Sequence, residues 1–204
     1  MEEELLIEVA QGIRLEARLG KTDEIAGGLV VCHPHPLYGG DMENPVVLRA
    51  SEVARETGLV TVRFNFRAGT HDQGEGEQDD LRAAVRLLGD SVPRGRPLGV
   101  AGYSFGAWLA ARVAPAEATL AALGLIAPPL AMLEFAALDG ARQNILLTAG
   151  TRDPYCPIPE FLELGRRTPG ARVVTIEGAD HFFFGKLHPL GEALRAWIRG
   201  WALA

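Results

Sequence analysis

With 204 residues, 48% of them hydrophobic and 23% charged, the chain has the composition of a globular protein, and one domain over residues 1–204 is expected. Ample apolar content and modest net charge exclude intrinsic disorder. Twenty basic residues against 26 acidic ones leave a formal charge of −6, and with no Lys/Arg run a nucleic-acid partner is not expected.

The first residues, Met1-Glu2-Glu3-Glu4, are acidic where a secretory leader is basic. The longest uncharged run, residues 118–133, is shorter than the ~20 residues a membrane span needs, and Pro128-Pro129 interrupts it. No membrane partner is expected. Cys32 and Cys156 do not make a disulfide framework, so a reduced, cytoplasmic protein is expected.

In chain order, Leu5, Ile7 and Val9 alternate with polar residues, as do Ile13, Leu15 and Ala17, with Gln11-Gly12 between them. That pattern predicts an antiparallel hairpin. Six short apolar runs follow, over residues 28–32, 59–62, 97–101, 120–126, 144–148 and 172–176. Runs of this kind are buried on both faces, as in a parallel sheet. Helical stretches separate them. Residues 45–56 open on Pro45, suited to a first turn. Residues 79–88 place Leu81, Val85 and Leu88 on one stripe, and Leu190, Leu194, Trp197, Ile198 and Trp201 form another. The polar stretch 69–80 reads as one long loop. Alternating strands and helices with right-handed crossovers predict a three-layer α/β/α sandwich whose sheet is mostly parallel. Ligands bind such sheets beyond the carboxyl ends of the strands, so the residues just after each strand are the ones that bear on chemistry.

After the run ending at Ala101 comes Gly102-Tyr103-Ser104-Phe105-Gly106, then a helix-compatible segment. This is a G-x-S-x-G pattern in a strand–turn–helix setting, where a sharp turn holds a serine hydroxyl out over the sheet. A nucleophilic serine needs a base, and the base needs an orienting acid. The order serine, acid, histidine selects Asp153, after the strand ending near Gly150, and His181, after the strand ending at Ile176. Asp180 and Glu177 are rival acids, but an immediate neighbour seldom reaches round to the imidazole. His188 is a rival base that precedes Pro189 at a helix start.

Backbone amides must also face the oxyanion. Phe105, next to the candidate nucleophile, supplies one. The loop His33-Pro34-His35-Pro36-Leu37-Tyr38-Gly39-Gly40 supplies the other, and since Pro36 has no N–H, Leu37 is the choice, with Tyr38 or His35 as alternatives. His33 and His35 also invite a metal, but zinc wants three or four ligands and no third sits nearby, so no metal is expected.

The segments 33–41, 62–67, 102–106 and 178–183 together resemble the α/β-hydrolase superfamily, and within it the small lidless bacterial serine hydrolases allied to dienelactone hydrolases. The resemblance spans about residues 28–199. It implies an α/β-hydrolase fold without a lid domain, with Ser104, Asp153 and His181 as the triad and no cofactor. Dienelactone hydrolases use a cysteine nucleophile where this chain has Ser104, which sets their substrate aside. The connection over residues 127–143 leaves room only for a short helical turn in place of a lid. Its apolar Leu130, Met132 and Phe135, with Tyr38, are candidate substrate contacts. Phe182, Phe183 and Phe184 read as core, and Arg67 as a loop tie. The function so implied is hydrolysis of small-molecule carboxylic esters, short acyl or aryl, through an acyl-enzyme. A thioesterase or amidase with the same apparatus, and a non-catalytic binding module on this fold, are the competing readings.

Overall fold

A computed structural model describes residues 2–9, 12–67, 74–135, 138 and 141–203. Eight strands form one sheet: β1 (Glu2–Glu8), β2 (Arg14–Gly20), β3 (Gly27–Cys32), β4 (Leu59–Phe64), β5 (Leu98–Tyr103), β6 (Leu120–Ile126), β7 (Asn144–Gly150) and β8 (Arg172–Ile176). Their spatial order is β1-β2-β4-β3-β5-β6-β7-β8. The β1–β2 hairpin is antiparallel and joins β4 in antiparallel fashion, and the other pairs are parallel. Gln11, part of the expected hairpin turn, lies outside the described residues.

Among the described residues, five helices cover the sheet: α1 (Pro45–Glu56), α2 (Glu75–Ser91), α3 (Phe105–Val113), α4 (Ile158–Arg166) and α5 (Leu187–Ala202). The two faces of the sheet feed separate cores. On β3, Leu29 and Val31 pack with Val47 of α1 and Trp197 of α5. The alternate residues Val30 and Cys32 pack with Leu81 of α2, Leu109 of α3 and Phe161 of α4. This is the period of two that a strand imposes, with both faces apolar. Among the described residues, no helix is long and apolar enough to cross a membrane.

Three elements depart from expectation. Strand β8 is the sheet edge, and Arg172, Val173 and Thr175 are exposed, so it is not buried on both faces. Helix α2 starts at Glu75, within the stretch expected to be loop; the Glu77 carboxylate accepts from the Gly74 amide at 3.1 Å and caps the helix. Residues 69–73 of that stretch lie outside the described residues. Helix α4 goes unread in the sequence; Pro159 sits in its first turn, which tolerates proline.

The strand order reverses at β3, which pairs with β4 on one side and β5 on the other. A crevice opens at such a point beyond the carboxyl ends. Beside it, Arg67 follows β4 and turns back onto α2. Its backbone N–H and guanidinium donate to both oxygens of Asp80, at 2.7–3.1 Å, and Asp80 is fully buried. The loop-tie reading of Arg67 is the observed one.

Removing one partner of a buried pair strands the other charge. Arg67→Met is therefore expected to cost about 3–5 kcal/mol in urea unfolding. Arg67→Met combined with Asp80→Leu should regain part of the loss, because the Asp80 carboxylate is then no longer stranded, while the neighbouring buried Glu77 still lacks the cation. Equal losses in the single and double variants would show that packing, not charge, governs this corner.

Candidate active site

Strand β5 delivers the chain to Ser104, which sits at φ 55° and ψ −115° before α3 begins at Phe105. Such positive-φ geometry at a non-glycine residue is strained. Its neighbours make it possible. A Cβ on Gly102 would lie 2.1 Å from the Gly106 carbonyl oxygen, and one on Gly106 would lie 2.6 Å from that of Cys32. Both contacts are backbone against backbone, so neither position can yield. The elbow is pinned from outside by the Ser104 N–H, which donates to Ile126 of β6 at 2.9 Å.

His181 Nε2 lies 3.0 Å from Ser104 Oγ, and its Nδ1 lies 2.8 Å from Asp153 Oδ2. The other Asp153 oxygen accepts from the amides of Tyr155 and Cys156 at 2.8 and 3.1 Å, which fixes the carboxylate. Both Asp153 and His181 are buried. The loops that carry them are laced together. Thr151 Oγ1 accepts from Gly178 N–H at 2.8 Å, and Arg152 N–H donates to Ala179 at 2.9 Å. The hydroxyl of Tyr103 donates to the His181 carbonyl at 2.9 Å. Burial pushes that phenol up, beyond the ordinary tyrosine range, so it remains a donor at neutral pH.

The structure thus brings Ser104, His181 and Asp153 together in one hydrogen-bonded line. Asp180 instead closes a local turn, its carboxylate accepting from Phe184 N–H at 3.2 Å. Glu177 and His188 are exposed.

A cavity of about 400 Å³ opens over Ser104. Phe105 heads α3, so its amide lies at the helix N-terminus beside Ser104. Leu37 is not where the sequence places it. Pro36–Tyr38 form a 3-10 turn capped by His35, whose Nδ1 takes the Leu37 amide at 3.2 Å. The Leu37 side chain is 64% exposed and does not line the cavity, whereas His35 and Tyr38 do. Met132 also lines it.

Leu130 and Phe135 do not. They line a separate depression beside Arg112 and Arg167, and Phe135 packs into the core. The cause is Trp108 of α3, whose indole N–H donates to the Glu134 carbonyl at 3.0 Å and holds this segment down. In the connection the Pro129 carbonyl accepts from the Met132 and Leu133 amides at 3.0 Å, a single short turn as expected; residues 136, 137, 139 and 140 lie outside the described residues.

The Phe182-Phe183-Phe184 reading is corrected as well. Phe183 is core, but its φ of 54° throws its neighbours outward, and Phe182, 55% exposed, lines the cavity. Phe184 is exposed. Pro129 of the apolar connection lines the cavity, and sequence reasoning missed Asn44, Tyr103 and Tyr155. Each follows a strand end or flanks a motif residue, the positions where an α/β sheet concentrates ligand contacts.

His33 is a strut. Its Nε2 accepts from the Phe66 amide at 3.0 Å, which leaves Nδ1 to donate to the Pro34 carbonyl at 2.6 Å. Both ring nitrogens are thereby used by backbone. Among the described residues no group of three His, Cys, Asp or Glu side chains is placed to hold a metal.

No protein-family model matches the chain. Its structure superposes on an α/β serine hydrolase homologue from Coxiella burnetii with a TM-score of 0.87 and 35% identity, covering 95% of this chain and 96% of that one. It is also similar to an α/β serine hydrolase without a lid from Xanthomonas campestris, with a TM-score of 0.90 and 31% identity over all of this chain and 96% of that one. An uncharacterised protein of Rickettsia prowazekii is 30% identical over 91% of this chain and 84% of its own length. The chain belongs to the lidless α/β serine hydrolases.

Burial pulls the His33 imidazole down to about 4, against about 6.5 in an unfolded chain. Between those values the unfolded state binds a proton that the folded state refuses. The contribution is therefore complete above about pH 6.5 and is lost as pH falls toward 4, by about 3 kcal/mol at most. Urea midpoints at about pH 7 and about pH 4.5 should show a steeper acid loss in the native chain than in His33→Gln. Parallel losses would remove His33 from the acid response.

Proposed function

We propose that the chain hydrolyses small carboxylic esters, short acyl or aryl, through an acyl-enzyme on Ser104. The observation that carries this reading is the unbroken line from Ser104 Oγ through His181 to Asp153, at 3.0 and 2.8 Å, on the floor of an accessible cavity.

In this reading Ser104 Oγ attacks the ester carbonyl carbon while its proton passes to His181 Nε2. Asp153 fixes the imidazole tautomer and stabilises the imidazolium. The developing oxyanion takes hydrogen bonds from backbone amides, that of Phe105 and, in place of Leu37, that of His35. Collapse of the tetrahedral intermediate breaks the ester C–O bond, and His181 returns the proton to the departing alcohol. A water then repeats the sequence on the acyl-enzyme, giving up its proton to His181 and releasing the acid. The chemistry needs no metal and no organic cofactor.

Ser104→Ala is expected to abolish ester turnover and labelling by a fluorophosphonate while leaving the fold intact, since Ser104 Oγ lies at a surface cavity. Asp153→Asn is expected to lower kcat by about 10⁴, because an amide at this position selects the wrong tautomer. Asp180→Asn, which touches only the local turn, should leave kcat within about tenfold. Full turnover by Ser104→Ala, or a large loss at Asp180 alone, would overturn the assignment.

A further inference from the structure

The cavity over Ser104 has a composition that narrows the substrate. None of the described residues lining it is Asp, Glu, Lys or Arg. Around the hydroxyl stand aromatic rings that are not spent on the core. Tyr38 is 81% exposed and meets the His35 ring in a tilted contact, with centroids 5.0 Å apart. Tyr155 and Phe182 meet His181 edge-on at 4.8 and 5.6 Å, and both keep much of their surface open. Met132 adds a polarizable thioether. Planar rings of this kind favour another ring, through offset or edge-to-face contact, over an aliphatic group of equal size. Among the described residues, the wall offers an ionised substituent no charge to compensate its lost hydration.

One polar group on this wall is already oriented. Asn44 precedes α1 and lines the cavity, and its Oδ1 accepts the Val46 amide at 2.9 Å as the helix cap. With the oxygen fixed, the flip of the carboxamide is fixed, and Nδ2 carries the donors. That Nδ2 has no hydrogen-bond partner among the described residues and is not a buried, orphaned atom. A donor held in place by a cap, among described wall residues that carry no Asp, Glu, Lys or Arg, is a feature that reads an acceptor.

We propose that the preferred substrates are esters of an uncharged aromatic group bearing a hydrogen-bond acceptor, with Asn44 Nδ2–H donating to that acceptor. This rests on the ester-hydrolase reading and adds the ring and the recognising residue. Asn44 is a specificity residue and takes no part in bond making.

The test compares kcat/KM for two matched pairs, methyl benzoate against methyl cyclohexanecarboxylate and benzyl acetate against cyclohexylmethyl acetate, each divided by its rate with hydroxide. A preference of about threefold to tenfold for the aromatic member in either pair is expected. Adding a para-acetyl group to the preferred aryl ester should raise kcat/KM by about threefold to tenfold, and a para-carboxylate should not. In Asn44→Asp and Asn44→Ser, both of which can still cap α1, the ratio of acetyl-substituted to unsubstituted ester should fall to near one. Reading a ratio cancels any common effect of the new side chain on the site, and two caps protect against one variant failing to fold. Equal or better turnover of both cyclohexyl esters would overturn the aryl proposal while leaving ester hydrolysis standing. An acetyl preference that survives both variants would remove Asn44 from recognition. Absence of turnover of every ester would sink the ester-hydrolase reading itself, and this proposal with it.

Discussion

The approach of α3 to the end of β3 is the constraint on which the rest of the structure depends. Gly106 brings its backbone so close to the Cys32 and His33 carbonyls that even a methyl group cannot enter. Only at that distance can the chain turn from β5 into α3 through one residue, and the residue at the apex must then accept a positive φ. The cost at Ser104 is on the order of 1–3 kcal/mol. It is sustained because the sheet on one side and α3 on the other overdetermine the turn. The Ser104 amide donates outward to β6, and the Ser104 carbonyl accepts from Ala107 and Trp108 of α3. The strain has a geometric return. The side chain stands away from both the strand and the helix, above the carboxyl edge of the sheet, where loops from β3, β7 and β8 converge.

Those loops hold the hydrogen-bonded line from Ser104 through His181 to Asp153, yet β8 is an exposed edge strand and cannot impose such order alone. The order comes from its neighbour. A Cβ on Gly150 would fall 2.3 Å from the Ala179 carbonyl oxygen, so the loops after β7 and β8 are in backbone contact. The Thr151–Gly178, Arg152–Ala179 and Thr151–Ile176 hydrogen bonds then make one unit of them. Tyr103, adjacent to the apex serine, reaches across to the His181 carbonyl and ties that unit to the elbow. Asp153 and His181 therefore move as a body with Ser104, although 77 residues separate Ser104 from His181.

What could be read in the sequence follows the range of the interaction that sets it. Strands β3 to β7 were legible because burial on both faces leaves an unbroken apolar run, and the start of α1 because Pro45 suits a first helical turn. Ser104, Asp153 and His181 were legible because strand–loop–helix order places residues at the carboxyl edge without any knowledge of side-chain packing. The edge position of β8 was not, since Val173 and Val174 look the same in an edge strand and a central one. The Leu37 error has a similar origin. Counting N–H groups in a proline-rich loop cannot reveal that the His35 ring folds back to take the Leu37 amide. Phe182 and Phe183 differ by one position and lie on opposite sides of the protein surface, a consequence of a positive φ that no periodicity announces. Asn44 went unread; its place on the cavity wall exists only once the loop after β3 is folded over the sheet.

The charged and aromatic ties near the site form a continuous support beneath the loop after β3. Asp80 on α2 holds Arg67, both by its guanidinium and by its backbone amide. The adjoining Phe66 amide holds His33 Nε2, and the Phe66 ring lies 4.7 Å from the imidazole and 6.0 Å from Phe105. His33 in turn fixes the entry to the segment that presents His35 and Tyr38 to the cavity. A lid would hold such a loop from above, by contact with the bound substrate. Without one, the loop has to be rigid before anything binds, and the only means available lie below it, in groups that are buried and mutually satisfied. A neutral imidazole suits this task better than a charged side chain. It offers one donor and one acceptor to two backbone groups at the cost of no buried charge, and burial keeps it neutral down to about pH 4.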